Sequence, residues 1–172
     1  LQMMGIHSIS LDSIIDDHNL RLVENMRAVA WNGLEAAFSI YKNRWPDLIR
    51  DSGEPYRVVI LGAGMVGKHA VEAATKLGNI QWNNRHMELG GPGSYGICLG
   101  RNISQDSRQM EKILSGADVL VDASQRRDPG NPLIPNEWIA WLPGDCVIAD
   151  LAVDPYLLDH DPPVVRGIEG IP

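Results

Sequence analysis

No run of apolar residues in this sequence comes near the roughly 18 needed to cross a bilayer. No basic segment followed by an apolar core opens it, so neither a membrane span nor a secretory signal is expected. Cysteine is scarce, with 2 in 172 residues. That excludes a disulfide framework, and Cys98 and Cys146 sit in apolar runs where a free thiol acts as a small core hydrophobe. Positive charge is short too. Lys and Arg number 15 against 22 Asp and Glu, a formal net charge of −7, and an acidic surface repels nucleic-acid phosphates. The histidines (His7, His18, His69, His86 and His160) show no HxxxH spacing and no cysteine partner, so no metal is expected. Neither Ser10 nor Ser124 stands in a nucleophile elbow, which argues against a hydrolase of that type.

What remains is an ordinary globular composition, 44% apolar and 22% charged, of a length that suits one domain with a small appendage. Because the chain opens on Leu1 and closes on Pro172, it is expected to be cut or trimmed from a longer protein. Residues 6–14 alternate loosely and are predicted to hold a short strand. "LRLVENMRAVAWNGLEAAFSIY" (20–41) places apolar residues in steps of three and four, the mark of an amphipathic helix. Gly33 in its middle is expected to allow close packing. "WPDLIRDSGEP" (45–55) breaks the pattern and marks a boundary.

From Arg57 the rhythm becomes strand, helix, strand. "RVVIL" predicts a buried strand and Met65 to Leu77 a helix, with Gly78 as its C-terminal cap. "YGICLG" (95–100) predicts a strand, and Asp106 or Ser107 caps a helix over Met110, Ile113 and Leu114. "ADVLVDAS" (117–124) predicts a strand, "IPNEWIAWL" (134–142) a short helix in which Trp138 and Trp141 share the core face. "DCVIADLAV" (145–153) and 164–166 predict two more strands. The alternation implies an α/β fold, a Rossmann-type doubly wound parallel sheet preceded by a helical hinge segment. Residues 1–50 read as that segment and 51–172 as the nucleotide-binding domain.

Gly62-Ala63-Gly64-Met65-Val66-Gly67 joins the first strand to its helix. In that context Gly62 makes the tight turn, Gly64 lets a pyrophosphate reach the backbone, and Gly67 lets the helix lie close to the sheet. The amides there, with the positive end of the helix dipole, suit an anion. An acid for the ribose hydroxyls is expected where the second strand ends, and none is found. If "YGICLG" is that strand, it ends at Gly100-Arg101-Asn102, where a guanidinium suits a 2′-phosphate, so NADP stands beside NAD. A second register takes "NIQWNN" as a shortened second strand ending at Asn84-Arg85, and "YGICLG" as the third. Glu88 lies in a stretch without strand pattern. Arg126 and Arg127 follow a strand in the crevice region and could meet a carboxylate or phosphate.

Four stretches, in this order, resemble the nucleotide-binding domain of the alanine dehydrogenase and pyridine nucleotide transhydrogenase family. They are "VVILGAGMVGKHAVEAATKLG", "GADVLVDAS", "NPLIPNEWIAWLPGDCVIADLAVD" and "GIEGIP". The resemblance covers about 57–172, and the helix near 20–42 resembles the hinge helix between the two domains of those enzymes. It implies hydride transfer to or from NAD or NADP, with Asp154 catalytic as the second aspartate of a D-x-A-x-D run. It implies cofactor contacts from Gly62, Gly64, Met65, Val66 and Gly67 at the pyrophosphate, and from Ala123, Ser124, Gln125, Leu151 and Ile168 toward the nicotinamide. Arg101 and Asn102 complete the expected set at the ribose. Pro155-Tyr156 replaces the glycine pair usual after that aspartate, and the family's substrate-binding domain lies outside this chain. The expected partners are therefore a nicotinamide dinucleotide, a substrate-binding domain or chain, and further copies of the same chain, in the cytoplasm. Two rivals keep the fold: a non-catalytic nucleotide-sensing or assembly module, and a methyltransferase using S-adenosylmethionine, which normally also needs the missing acid.

Overall fold

A computed structural model describes residues 16–18, 24–124 and 133–152 of the chain. Within them lie four parallel strands: β1 (Tyr56–Leu61), β2 (Ser94–Leu99), β3 (Val119–Asp122) and β4 (Val147–Asp150). Their spatial order is β2-β1-β3-β4. Tyr56 to Leu61 pair in register with Ser94 to Leu99, and Val58 to Leu61 with Val119 to Asp122 on the other side. The helices are α1 (Met26–Arg44), α2 (Met65–Ala74), α3 (Ile80–Glu88), α4 (Arg101–Ser104) and α5 (Ser107–Leu114).

A central parallel strand must be apolar on both faces, and β1 is. Tyr56, Val58 and Ile60 join α1 and α2 in one core through Leu34, Phe38, Tyr41, Ala70 and Ala73. Val59 and Leu61 join Leu99, Met110, Leu114 and Leu120 in a second core under α5. The Rossmann-type fold expected from the sequence is therefore present.

Local chemistry explains the element ends. The Asn25 side chain accepts the Ala28 N–H at 3.0 Å and starts α1, so within the described residues this helix begins later than the apolar rhythm implied. Asp106 accepts the amides of Arg108 and Gln109 and starts α5. α2 ends at Ala74, ahead of the expected Leu77. Buried Leu77 takes a left-handed φ of 53°, and the next residue, Gly78, donates its N–H to the Ala73 carbonyl at 2.9 Å. Gly33 packs as expected, since a Cβ there would lie 2.3 Å from Leu151 Cδ2.

One sequence expectation is corrected. Residues 79–84, the shortened second strand of the alternative register, form the N-cap and first turns of helix α3. β2 is thus the second strand, as in the first register, and the chain reaches β3 through α4 and α5. The short helix expected over 134–142 is present as a 3-10 helix over residues 136–141 after Pro135. In that tighter helix residues three apart eclipse each other, and the rings of Trp138 and Trp141 stack at 5.0 Å. The predicted strands at 6–14 and 164–166 lie outside the described residues.

Charge and hydroxyl groups lock the N-terminal edge of the sheet. Asp118 Oδ1 meets the Arg50 guanidinium at 2.6 Å, and its Oδ2 accepts the Arg57 N–H at 2.6 Å. The Tyr41 hydroxyl lies 2.6 and 2.7 Å from the carbonyl oxygens of Asp118 and Asp145. Arg50 also sits 4.3 Å over the Tyr56 ring. Burial raises the Tyr56 phenol to about 12, against a smaller lowering by Arg50, and burial with Asp118 nearby pushes Tyr41 beyond the usual phenol range. In the unfolded chain these phenols ionise near pH 10. Between about pH 10 and 12 the unfolded state holds fewer protons, so stability falls as pH rises through that window. Absorbance at 295 nm should show Tyr41 and Tyr56 still protonated at pH 11 in the native protein, and Tyr56→Phe should flatten the loss of stability. Ionisation of every tyrosine near pH 10 with the far-ultraviolet dichroism still native would contradict this.

Candidate functional site

The sheet order itself makes a crevice. From β1 the chain crosses by α2 and α3 to β2 on one side, then returns past β1 to β3 on the other. Ligands of open parallel sheets lie outside the carboxyl ends of the strands at such a reversal. The glycine turn stands at that point. The Gly62 N–H donates to the Leu99 carbonyl at 3.1 Å, and the Ala123 N–H donates to the Leu61 carbonyl at 2.9 Å. The tips of β1, β2 and β3 are thus tied together around Gly62.

Each glycine has a different reason to lack a side chain. Gly62 has φ +102°, and a Cβ there would lie 2.6 Å from the Ala123 carbonyl oxygen. A Cβ on Gly67 would lie 1.8 Å from the Gly62 carbonyl oxygen. Those two positions are fixed by the protein's own backbone. Gly64 is the opposite case: its φ of −74° suits any residue, and a Cβ would meet nothing within 4 Å. Gly64 is the N-cap of α2 and no side chain caps that helix. The first-turn amides of Met65, Val66 and Gly67 therefore face the open side of the turn, where the helix dipole favours an anion. This cradle fits the diphosphate of a dinucleotide.

The structure brings the other expected residues to the same edge in part. Arg101 and Asn102 are exposed and follow β2 after Gly100. Ala123 and Ser124 follow β3 and abut Gly62. Leu151 follows β4, but its side chain turns to Gly33 of α1, and its N–H donates to the Asp122 carbonyl at 2.8 Å. Gln125, Asp154 and Ile168, with Arg126 and Arg127, lie outside the described residues.

Two features escaped the sequence reading. Asp122 and Asp150 end neighbouring strands in register, and both line a cavity of about 230 Å³ with Leu61, Leu120, Ile139 and Ile148. Asp122 Oδ1 accepts the Ser124 N–H at 3.0 Å and its hydroxyl at 2.6 Å, while Asp150 Oδ1 accepts the Ala152 N–H at 3.0 Å. The short phrase Asp122-Ala-Ser carries the signal, an aspartate accepting from the residue two ahead at a strand end. The second is Cys98, whose thiol lies under the turn with Sγ 3.5 Å from the Gly62 carbonyl oxygen. Burial pushes that thiol's pKa up, keeping it a donor.

Residues 51–155 match the sequence model of the alanine dehydrogenase/PNT C-terminal domain. The chain belongs to this family. As an alanine dehydrogenase/PNT C-terminal domain it is a nucleotide-binding unit of the oxidoreductase type, and the group its site implies is a nicotinamide dinucleotide. No curated protein matches the chain in sequence. Among solved structures it is similar to an L-alanine dehydrogenase at 18% identity, with 83% of this chain and 42% of that one covered and a TM-score of 0.46. It is similar to a dipicolinate synthase chain from Bacillus halodurans at 18% identity, covering 80% and 44%, TM-score 0.43. A D-lactate dehydrogenase from Escherichia coli matches at 13% identity, covering 76% and 43%, TM-score 0.45. The chain thus spans less than half the length of each. No described helix of this alanine dehydrogenase/PNT domain is long and apolar enough to cross a membrane.

The glycine geometry separates two substitutions. Gly67→Ala forces the Gly62 backbone to move and should cost about 2–3 kcal/mol in urea unfolding. Gly64→Ala has room and an allowed φ, and should cost under about 1 kcal/mol, the scale of an N-cap change. Equal losses at the two positions would refute this division of roles.

Proposed function

We propose that this chain is the dinucleotide-binding part of an NAD(P)-dependent oxidoreductase of the alanine dehydrogenase/PNT family, serving hydride transfer to or from a small substrate. The observation that carries the reading is the open space over Gly64 at an uncapped helix start, between two glycines held by backbone contacts. The bound nicotinamide supplies the hydride chemistry at its C4. The residues of the chain bind and orient it. The amides of Met65, Val66 and Gly67 hold the diphosphate, Arg101 and Asn102 face the adenosine ribose, and Ala123 and Ser124 border the nicotinamide half with Gln125, Ile168 and the backbone of Leu151.

Asp154 is assigned the proton-handling or ammonium-orienting role by its place in the D-x-A-x-D run. Lysine or histidine groups acting on the substrate belong to another domain or chain. The family match begins at residue 51, which supports reading 51–172 as the nucleotide-binding unit and the part before it as hinge, although α1 shares the first core. Association with further copies of the chain is part of the proposal, as is a cytoplasmic setting, which suits the free, half-buried Cys98 and Cys146.

Titration calorimetry with NAD, NADH, NADP, NADPH and S-adenosylmethionine tests the reading. At least one nicotinamide form should bind in the micromolar range, and Gly64→Val should weaken it by about a hundredfold while the thermal midpoint stays close to that of the parent chain. Binding of S-adenosylmethionine alone, or of no nucleotide, would replace this function with a methyltransferase or a ligand-free module.

A further inference from the structure

We propose that the dinucleotide carries a 2′-phosphate on its adenosine ribose, and that Arg101 is the side chain that selects it. The inference rests on reading the glycine turn as the dinucleotide site. From sequence alone the end of the second strand had two registers. Helix α3 removes one of them, because residues 80–88 cannot form that strand. The second strand is β2, its last residue Leu99 bonded through its carbonyl to the Gly62 N–H at 3.1 Å. Arg101 therefore stands two residues beyond an atom that touches the glycine turn, on the side away from β3. In folds of this order that flank receives the adenosine ribose.

The chemistry at this flank is cationic. A ribose with a free 2′-hydroxyl is usually held by a carboxylate at the strand end, and residues 100–105 (Gly-Arg-Asn-Ile-Ser-Gln) contain none. The next acid, Asp106, is already engaged. Its Oδ1 accepts the Arg108 and Gln109 amides at 3.1 and 3.3 Å, and its Oδ2 accepts the Gln109 side-chain amide at 2.8 Å. Those bonds hold its carboxyl below the usual range and commit it to the start of α5. Glu88, the other acid of this region of the sequence, closes α3 and faces Arg85 at 3.9 Å. Arg101 is exposed, and its guanidinium has no ion pair or hydrogen bond among the described residues. A planar fork of donors with no protein acceptor matches a phosphate dianion, and matches a neutral hydroxyl poorly. Asn102 beside it adds a side-chain amide.

Calorimetric titration of this chain with NADPH and NADH tests the inference. NADPH should bind about tenfold tighter or more, the scale of one charge-assisted contact. Arg101→Ala should remove most of that preference by weakening NADPH about tenfold, leaving NADH within about twofold and the thermal midpoint unchanged. Equal affinity of the parent chain for the two, or tighter NADH, overturns the 2′-phosphate inference and leaves the dinucleotide site standing. A parallel loss of both in the variant overturns the assignment to Arg101. If neither nucleotide binds the parent chain, the glycine-turn reading fails and this inference fails with it.

Discussion

The contact between two backbone segments at the tip of β1 governs the rest of this structure. Gly67 of α2 lies against the Gly62 carbonyl, and Gly62 lies against Ala123 at the end of β3. No side chain fits at either place. The helix can therefore sit low on the sheet, and its first amides arrive just above the strand ends. Neighbouring features follow from that placement: the bond from Gly62 to Leu99, the Cys98 thiol under the turn, and the open space above Gly64. The site is a by-product of how closely three backbones approach.

A short-range pattern made this part readable in the sequence. β1, the turn and α2 are contiguous, and their apolar run and glycine spacing need no partner to be recognised. The same holds for α5, where Asp106 announces the start and Met110 and Leu114 the buried face. The central strands β1 and β3 carried continuous apolar runs because both of their faces are covered. Family resemblance and the family match over residues 51–155 then agree on the domain type.

The parts that were not legible are those held by polar burial or by long-range geometry. α3 is the clearest case. Its buried residues are Asn83 and His86, so apolar periodicity reads as blank. Asn79 caps it with two bonds, and the buried His86 ring accepts the Gly93 N–H at 2.7 Å on Nε2 while Nδ1 lies 3.0 Å from the Asp47 carbonyl oxygen. Nothing in a hydrophobic pattern encodes such a latch. The identity of the second strand was left open for a different reason. It depends on which of two segments pairs with β1, and pairing is a property of the sheet. The Asp122 and Asp150 alignment was invisible on the same grounds, since register joins residues far apart in the chain.

The central position of β1 also constrains the order of assembly on the ribosome. It is the first described strand to be made, yet both strands that flank it, β2 and β3, come later. Until they emerge, six mostly apolar residues have α1 and α2 to cover one face but no strand to pair with, and an unpaired strand of this kind invites association between nascent chains. The anion cradle cannot be completed before β3 is made, because Ala123 and Ser124 must dock before Gly62 has its wall. A truncated translation product ending before β3 would therefore carry the whole glycine signature and still lack the place to hold a nucleotide.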